Sequence, residues 1–152
     1  MFFLTENRKQ KTENRIKYRP LQHTADVAWR IWGATLADLF AHAAQALMAT
    51  MTDRRSLRRV ISRQVVLEAP DQEALLVEWL NRLLYLFDTE GFLGKDFQVV
   101  HLTPNSLEAV VWGEPFYPVR HPQNSAVKAA TYHQLAINRT PDGWEATVVL
   151  DL

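Results

Sequence analysis

The stretch WEATVVLDL, residues 144–152, closes the sequence with a strand-forming run that leads into an acidic residue. Val148, Val149 and Leu150 favour a buried β-strand. Asp151 and Leu152 follow, so with Leu152 as the final residue a side-chain carboxylate and the main-chain carboxylate lie one residue apart. Like charges this close repel each other, so either water solvates the pair or a cation is bound there.

The segment before this stretch predicts its partner strand. Residues 127–138, VKAATYHQLAIN, also have strand character, and PDG at 141–143 is a typical turn sequence. We therefore expect a hairpin. Pairing without interruption from the turn would place the chain end opposite Thr131 or Tyr132, with Lys128 a few residues beyond it.

Hydrophobic periodicity predicts the remaining elements. Apolar residues recur at three- and four-residue steps in 33–53 and 70–91, which is typical of two amphipathic helices. Thr35 and Asp38 resemble a capping box at the start of the first helix. The order strand, helix, strand, helix and then four strands indicates an α+β fold, a two-layer sandwich in which both helices pack on one face of a mixed β-sheet. Alternating patterns predict the other strands at 27–33, 60–69, 96–102 and 106–113.

Composition limits the classes of protein and site. The 152 residues suit one domain, which we place at 16–152 after a disordered tail at 1–15. Lys plus Arg and Asp plus Glu are 17 each, so no net charge attracts nucleic acid or a membrane surface. No stretch approaches the ~20 apolar residues of a membrane span. The absence of cysteine excludes disulfides and thiolate ligands and fits a cytoplasmic protein, so any metal must be bound by oxygen or imidazole.

A second acidic position, near the first predicted strand, could complete a cation site. His23 and Asp26 lie in LQHTADVAWR, residues 21–30, where that strand begins. If the first and last strands are neighbours, Asp26 meets Asp151 and the Leu152 carboxylate. Such oxygen ligands favour calcium, magnesium or manganese and leave coordination positions open for water or phosphate. The pattern fits a turn aspartate and a solvated terminus as well, and spacing does not separate the two interpretations.

Two further charged features have open roles. Asp88 and Glu90 end the second helix, where the helix dipole disfavours acidic residues, so either could support a site or simply be solvated. Five arginines between the first helix and the second strand fit either a phosphate- or carboxylate-binding patch or a solvated connector. This connector and the Pro-rich loop 113–125 are both candidate docking surfaces. The five residues are Arg54, Arg55, Arg58, Arg59 and Arg63.

Four segments together resemble the archease family. The resemblance covers residues 18–152, and the combination is more specific than any one segment. Val27-Ala28 departs from the Ile-Gly that is more usual in the family after the first aspartate. The segments are HTADVAWRIWG (23–33) before a helix ending in MTD (51–53), LLVEWLNRLLYLFDTE (75–90), KAATYHQL (128–135) and the terminal VVLDL (148–152).

Archeases are small proteins that act on the GTP-dependent RNA ligase of tRNA splicing and RNA repair. The resemblance implies a non-catalytic protein cofactor that promotes guanylylation of the ligase and its multiple turnover, with RNA contacted only through the ligase. It also implies a divalent-metal site formed by Asp26, Asp151 and the Leu152 carboxylate. Lys128 matches the family's functionally important lysine. We add His23 and Asp88 as supporting candidates.

Two other classes of protein remain open. The family has also been assigned a chaperone-like role toward other RNA-processing enzymes, such as a tRNA methyltransferase, and partner binding of that kind would survive loss of the metal. A metal-dependent phosphohydrolase would use Asp26 and Asp151. The sequence offers no clear general base or substrate pocket for hydrolysis, which counts against this class.

Overall fold

The computed structural model describes residues 17–21 and 26–152. Residues 1–16, which include the predicted tail, and residues 22–25, which include His23, lie outside the described part of the chain. The helices are α1 (Leu36–Met51) and α2 (Gln72–Glu90), with a short 3-10 helix at Arg54–Ser56. The strands are β1 (Tyr18–Leu21), β2 (Asp26–Gly33), β3 (Ile61–Glu68), β4 (Phe92–Leu102), β5 (Ser106–Pro115), β6 (Ala129–Thr140) and β7 (Gly143–Asp151).

The strands form two antiparallel sheets, one with the order β1-β2-β7-β6 and one with the order β3-β5-β4. The α+β class is confirmed, and the arrangement differs from the single mixed sheet that the sequence suggested. The strands on either side of α1, β2 and β3, belong to different sheets. The strands on either side of α2, β3 and β4, are separated by β5. Neither helix therefore connects two neighbouring parallel strands, and both helices contact strands of both sheets.

Both helices begin and end where their capping residues lie. The Thr35 hydroxyl accepts a hydrogen bond from the Asp38 amide at 3.1 Å, and the Asp71 carboxylate accepts one from the Ala74 amide at 2.8 Å. These side chains satisfy main-chain N–H groups that have no partner within the first helical turn. Gly91 ends α2 with φ of 66°, a left-handed conformation that glycine adopts without a steric penalty.

The core lies between the helices and the inner faces of the sheets. Trp79 and Phe40 are fully buried, and the Trp79 indole N–H donates to the Phe40 carbonyl at 2.9 Å, which ties α2 to α1. Burial of each such large apolar side chain contributes about 1.5–3 kcal/mol. In the described part of the chain, neither helix combines the length and apolar character needed to span a membrane.

A bulge interrupts the pairing of β6 with β7. Thr131 lies opposite Val149, and the next aligned pair is Ala136 with Thr147. Five residue steps in β6 therefore match two in β7, so β6 contains three additional residues. Within the bulge Gln134 has φ of 55°, an uncommon left-handed conformation for a residue other than glycine.

The bulge changes the register at the chain end. Asp151 lies opposite Ala129. The prediction that the chain end faces Thr131 or Tyr132 is therefore wrong, because it assumed uninterrupted pairing from the turn. The correction brings the residue before the strand, Lys128, next to the end of β7.

Candidate carboxylate site

The register of the first sheet places two aspartates face to face. β2 and β7 are adjacent and antiparallel, and Asp26 lies directly opposite Asp151. Directly opposite residues project to the same side of a sheet, with Cβ atoms about 4.5–5.5 Å apart. The next pair, Val27 and Leu150, packs in the core, so the two aspartates lie on the outer face. Leu152 is the residue after Asp151.

Lys128 reaches the same corner of the sheet through the backbone. Its main-chain N–H donates to the Asp151 carbonyl at 2.8 Å, and Ala129 lies opposite Asp151 on the side away from Asp26. The end of β7 therefore lies between Asp26 on one side and Lys128-Ala129 on the other. The Lys128 side chain is exposed, and its ammonium group makes no ion pair with a described residue.

The two carboxylates are not neutralised by the described part of the protein. Neither the Asp26 nor the Asp151 side chain makes a hydrogen bond or ion pair with a described residue. Like charges directly opposite each other on a sheet destabilise the pair. A cation bound between them would remove this repulsion.

The available donors fit a hard divalent cation. Across residues 17–21 and 26–152, no three or more histidine, aspartate or glutamate side chains are grouped so that they could hold a metal. A metal at this corner would use the side-chain carboxylates of Asp26 and Asp151, and the third group predicted from the sequence is a main-chain carboxylate on Leu152. Oxygen-only donors suit calcium, magnesium or manganese, and three protein groups leave coordination positions open.

The start of β6 is fixed by α2. The Asn81 side chain bonds both backbone groups of Ala130, accepting from its N–H at 2.8 Å and donating to its carbonyl at 3.3 Å. The amide thus takes the place of a further strand at this edge of the sheet. Sequence reasoning missed Asn81. The available indication was a polar residue between Leu80 and Leu83, within an otherwise apolar helix stripe.

A buried charged cluster holds the loop that leads to Lys128. Glu114, 1% exposed, accepts hydrogen bonds from the Arg58 main-chain N–H at 2.7 Å and from the Arg120 guanidinium at 2.5 and 2.9 Å. His121 Nε2 donates to the same carboxylate at 3.0 Å. Burial opposes ionisation, but the hydrogen bonds from Arg120 and His121 outweigh it and lower the pKa of Glu114 to about 2.

The same cluster orients the His121 ring. The Tyr117 main-chain N–H donates to His121 Nδ1 at 2.8 Å, so Nδ1 is the acceptor and Nε2 is the nitrogen that faces Glu114. Phe116 and Tyr117 stack on the ring. Sequence reasoning named the loop 113–125 as a docking candidate but missed this cluster, because spacings of six and seven residues across a loop predict no contact.

The five arginines at positions 54–63 are mostly bonded to other groups of the protein, which favours a structural connector over a phosphate-binding patch. Most of their guanidinium groups have intramolecular partners, and exposed ion pairs of this kind contribute little to stability. The contacts are Arg54 with the Tyr18 hydroxyl (3.2 Å), Arg55 with Asp53 (3.0 Å), Arg59 with Asp96 (3.0 Å) and the Trp112 ring (4.8 Å), and Arg63 with Glu90 (2.7 Å).

The two supporting candidates do not complete the aspartate pair. Asp88 lies in the last turns of α2 and lines a separate cavity, and it forms no three-carboxylate group with Asp26 and Asp151. His23 lies outside the described residues. The corner thus consists of Asp26, Asp151, Leu152 and Lys128.

Comparison with known proteins identifies relatives over almost the whole described chain. The model of the Archease protein family (MTH1598/TM1083) matches residues 18–152. Protein archease of Methanosarcina acetivorans is 40% identical over 140 residues, which are 90% of this chain and 96% of the relative. Protein archease of Pyrococcus furiosus is 37% identical over 135 residues, 86% of this chain and 95% of the relative.

Solved structures share the fold. The solution structure of Methanobacterium thermoautotrophicum protein 1598 matches with a TM-score of 0.76 and 30% identity, covering 89% of this chain and 98% of that one. A Thermotoga maritima crystal structure, described as an archease and possible chaperone, matches with a TM-score of 0.59 and 21% identity over 88% of this chain and 96% of that one.

Proposed function

Because this chain belongs to the archease family, we propose that it activates a GTP-dependent RNA ligase of tRNA splicing or RNA repair and does not itself catalyse ligation. In this proposal the protein promotes guanylylation of the ligase and its multiple turnover. It acts in the cytoplasm and meets RNA only through the ligase.

One observation carries the proposal. The register of β2, β7 and β6 brings Asp26, Asp151 and Lys128 to one corner on the rim of the first sheet. Carboxylates without a described partner beside an exposed lysine provide both a cation-binding and an anion-binding group. A complex of metal ion and GTP phosphates needs both kinds of group.

The residues of the corner have separate roles in the proposed activation. Asp26, Asp151 and the Leu152 carboxylate would hold calcium, magnesium or manganese. The ion, when bound, supplies positive charge that neutralises phosphate oxygens. Lys128 adds a protein-borne positive charge next to them, and its backbone bond to Asp151 keeps the two residues in register. The exposure of Asp151 and Lys128 lets a partner's active site approach the corner.

The direct test is a ligase guanylylation assay with GTP and purified Asp151→Asn protein. This substitution keeps the shape of the side chain and removes its charge, so we expect stimulation to fall at least about tenfold. Asp142→Asn is the matched control, because Asp142 is an exposed aspartate at the opposite end of the same hairpin. Lys128→Met should reduce stimulation to a similar extent. Full stimulation by both folded site variants would overturn the proposed mechanism.

The role of the main-chain carboxylate has its own pair of variants. One added glycine after Leu152 converts that carboxylate into an amide, whereas Leu152→Ala keeps the carboxylate and changes only the side chain. We expect the extended protein to lose binding of manganese, measured by calorimetry, and the Leu152→Ala protein to retain it. Equal binding by both would remove Leu152 from the ligand set.

A second candidate function is a chaperone-like modulator of another RNA-processing enzyme, such as a tRNA methyltransferase. This candidate is supported by the description of the Thermotoga maritima archease as a possible chaperone. This function predicts that a partner other than the ligase is recovered from lysate, and that recovery is unchanged by a chelator and by Asp151→Asn. Recovery of the RNA ligase with the wild-type protein supports the first proposal.

A further inference from the structure

Three of the four outer strands of the two described sheets are closed to further pairing. The outer strands are β1 and β6 in the first sheet and β3 and β4 in the second. β1 has four residues and contains Pro20, which has no N–H to donate, and β4 twice shifts its register against β5. β6 contains the three-residue bulge and is bonded by Asn81. Bulges and prolines of this kind prevent an edge strand from adding another strand.

β3 is the exception. Its eight residues, Ile61–Glu68, pair with β5 in one unbroken register and include no proline. No other strand of the described part of the chain lies on its far side. A regular edge strand presents a row of N–H and C=O groups that can pair with another chain. The open side of β3 is therefore a surface on which an extended segment can dock.

Alternate residues of β3 direct their backbone groups toward this open side. The Ala69 N–H donates to the Asn105 carbonyl at 2.9 Å, in register with the pairing of β3 and β5. Bonding to a neighbouring antiparallel strand alternates along the chain, so the odd-numbered residues of β3 bond to β5 and the even-numbered ones face outward. The Ser62 carbonyl is already occupied by the Arg63 guanidinium at 2.9 Å. The open groups belong to Gln64, Val66 and Glu68.

The side chains beside the open groups favour an apolar and a basic residue in the docking segment. Val66 is 59% exposed. Glu68 is exposed, and its carboxylate makes no hydrogen bond or ion pair with a described residue. Glu108 lies opposite Val66 on β5, so both glutamates are on the same face, and it accepts one long hydrogen bond, from Gln64 at 3.4 Å. Two neighbouring carboxylates attract a cation carried by the added strand.

A second copy of this chain does not supply that cation. Arg63 is the one basic residue of β3, and it lies on the opposite face from Glu68, where it pairs with Glu90 at 2.7 Å. Strand pairing brings side chains of the same face next to each other, so Glu68 would meet no cation on a second β3. Charge complementarity therefore favours a different protein.

We propose that the open side of β3 binds an extended segment of a protein partner, which adds a fourth strand to the second sheet. The backbone of the segment pairs with residues 64–68, an apolar side chain lies beside Val66, and a lysine or arginine lies beside Glu68 and Glu108. The partner is the RNA ligase, so the proposal rests on the proposed function. Docking then uses the second sheet, whereas the aspartate corner belongs to the first.

The first test measures amide hydrogen exchange, residue by residue, in the full-length protein alone and with the ligase. We expect the outward-facing amides of Gln64, Val66 and Glu68 to exchange at least about tenfold more slowly in the complex, because the added strand bonds or covers them. The amides of Val65 and Leu67 face β5 in both states and should change little. They are the internal comparison.

The second test uses substitutions at the open side. Val66→Pro removes one outward N–H without removing a bond to β5, so we expect the affinity for the ligase to fall at least about tenfold. Val66→Thr retains the N–H and the branched shape, and it is the matched control. Glu68→Lys reverses the charge at an exposed position and should also weaken binding. Saturating concentrations of each variant should still stimulate guanylylation, because the aspartate corner is unchanged.

The outcomes separate this proposal from the proposed function. Slower exchange at the three open amides, with weaker binding by Val66→Pro or Glu68→Lys, supports docking at β3. Stimulation by the wild-type protein without slower exchange at these amides overturns the docking proposal and leaves the proposed function intact. Absence of both binding and stimulation by the wild-type protein overturns the proposed function and the ligase as the partner. Slower exchange at high concentration without ligase assigns the edge to a second copy instead.

Discussion

Glu114 and the pair Asp26 and Asp151 are carboxylates used in opposite ways. Glu114 is almost completely buried and accepts hydrogen bonds from a main-chain N–H, a guanidinium and an imidazole. Asp26 and Asp151 face each other on the outer side of a sheet without a described partner. The difference indicates that the first cluster stabilises the fold, whereas the second is the pair to which the proposed function assigns a cation.

The two regions are connected along the sequence. Glu114 anchors Arg120 and His121 near the start of the loop, and the loop then leads to Lys128 and β6. The Glu114 cluster, whose carboxylate is fully hydrogen-bonded, thus supports one side of a corner whose carboxylates have no described partner. Removing the charge of Glu114 should therefore lower stability, whereas removing the charge of Asp151 should raise it.

The largest expected effect is loss of stability in Glu114→Gln. The substitution weakens three hydrogen bonds to a buried carboxylate and leaves the partly exposed Arg120 guanidinium without its counter-charge, so we expect the free energy of unfolding to fall by about 3 kcal/mol. Urea denaturation followed by circular dichroism measures the change. Glu108→Gln, at a partly exposed position in β5 that accepts one long hydrogen bond from Gln64, should change stability by less than about 0.5 kcal/mol. Equal effects of the two substitutions would contradict a structural role for the cluster.

The pH dependence of stability should report the same cluster. The pKa of Glu114 is about 2 in the folded protein, below its ordinary value of 4.5. A lowered folded-state pKa means that the stabilisation is fully present above pH 4.5 and is lost as pH falls toward 2. At about 1.4 kcal/mol per pKa unit this amounts to about 3 kcal/mol. Urea titrations between pH 6 and 2 should show a steeper loss in the wild-type protein than in Glu114→Gln.

Asn81 tests whether the helix holds the corner. Asn81→Ala removes two hydrogen bonds to Ala130, so we expect a loss of about 2 kcal/mol, at about 1 kcal/mol for each bond. Hydrogen exchange of the Ala130 amide should accelerate at the same time. Arg82→Ala, at the exposed neighbouring position, is the control and should leave that amide protected. Unchanged exchange in Asn81→Ala would show that pairing with β7 alone holds the start of β6.

The smallest effect has the opposite sign. Without added metal, Asp151→Asn should raise the free energy of unfolding by about 0.5 kcal/mol, because it removes repulsion from Asp26 directly opposite. The gain should diminish at high salt, which screens charges at an exposed site. Thermal denaturation in the presence of chelator, at low and high salt, measures it. Destabilisation by this substitution under the same conditions would mean that Asp151 already has a stabilising partner.

The sequence predicted the helices and most of the strands because the residues that begin and end each element lie within or next to it. The capping positions Thr35 and Asp71 start the helices, Gly91 ends α2, and the turn at 141–143 joins the last two strands. The short strand β1 was not predicted, since four residues before the predicted first strand carry little periodic information. The division into two sheets also escaped prediction, because strand neighbours in different parts of the chain are chosen by packing.

The candidate site also was predictable only in part. The sequence alone indicated two acidic positions, a lysine and a strong hairpin pattern, together with the segments shared with its family. Only the tertiary structure placed Asp26 opposite Asp151 and, through the three-residue bulge in β6, put Lys128 beside the chain end. Residue type and periodicity are properties of short segments. Register across strands and contacts such as those of Asn81 and Glu114 depend instead on how distant segments pack together.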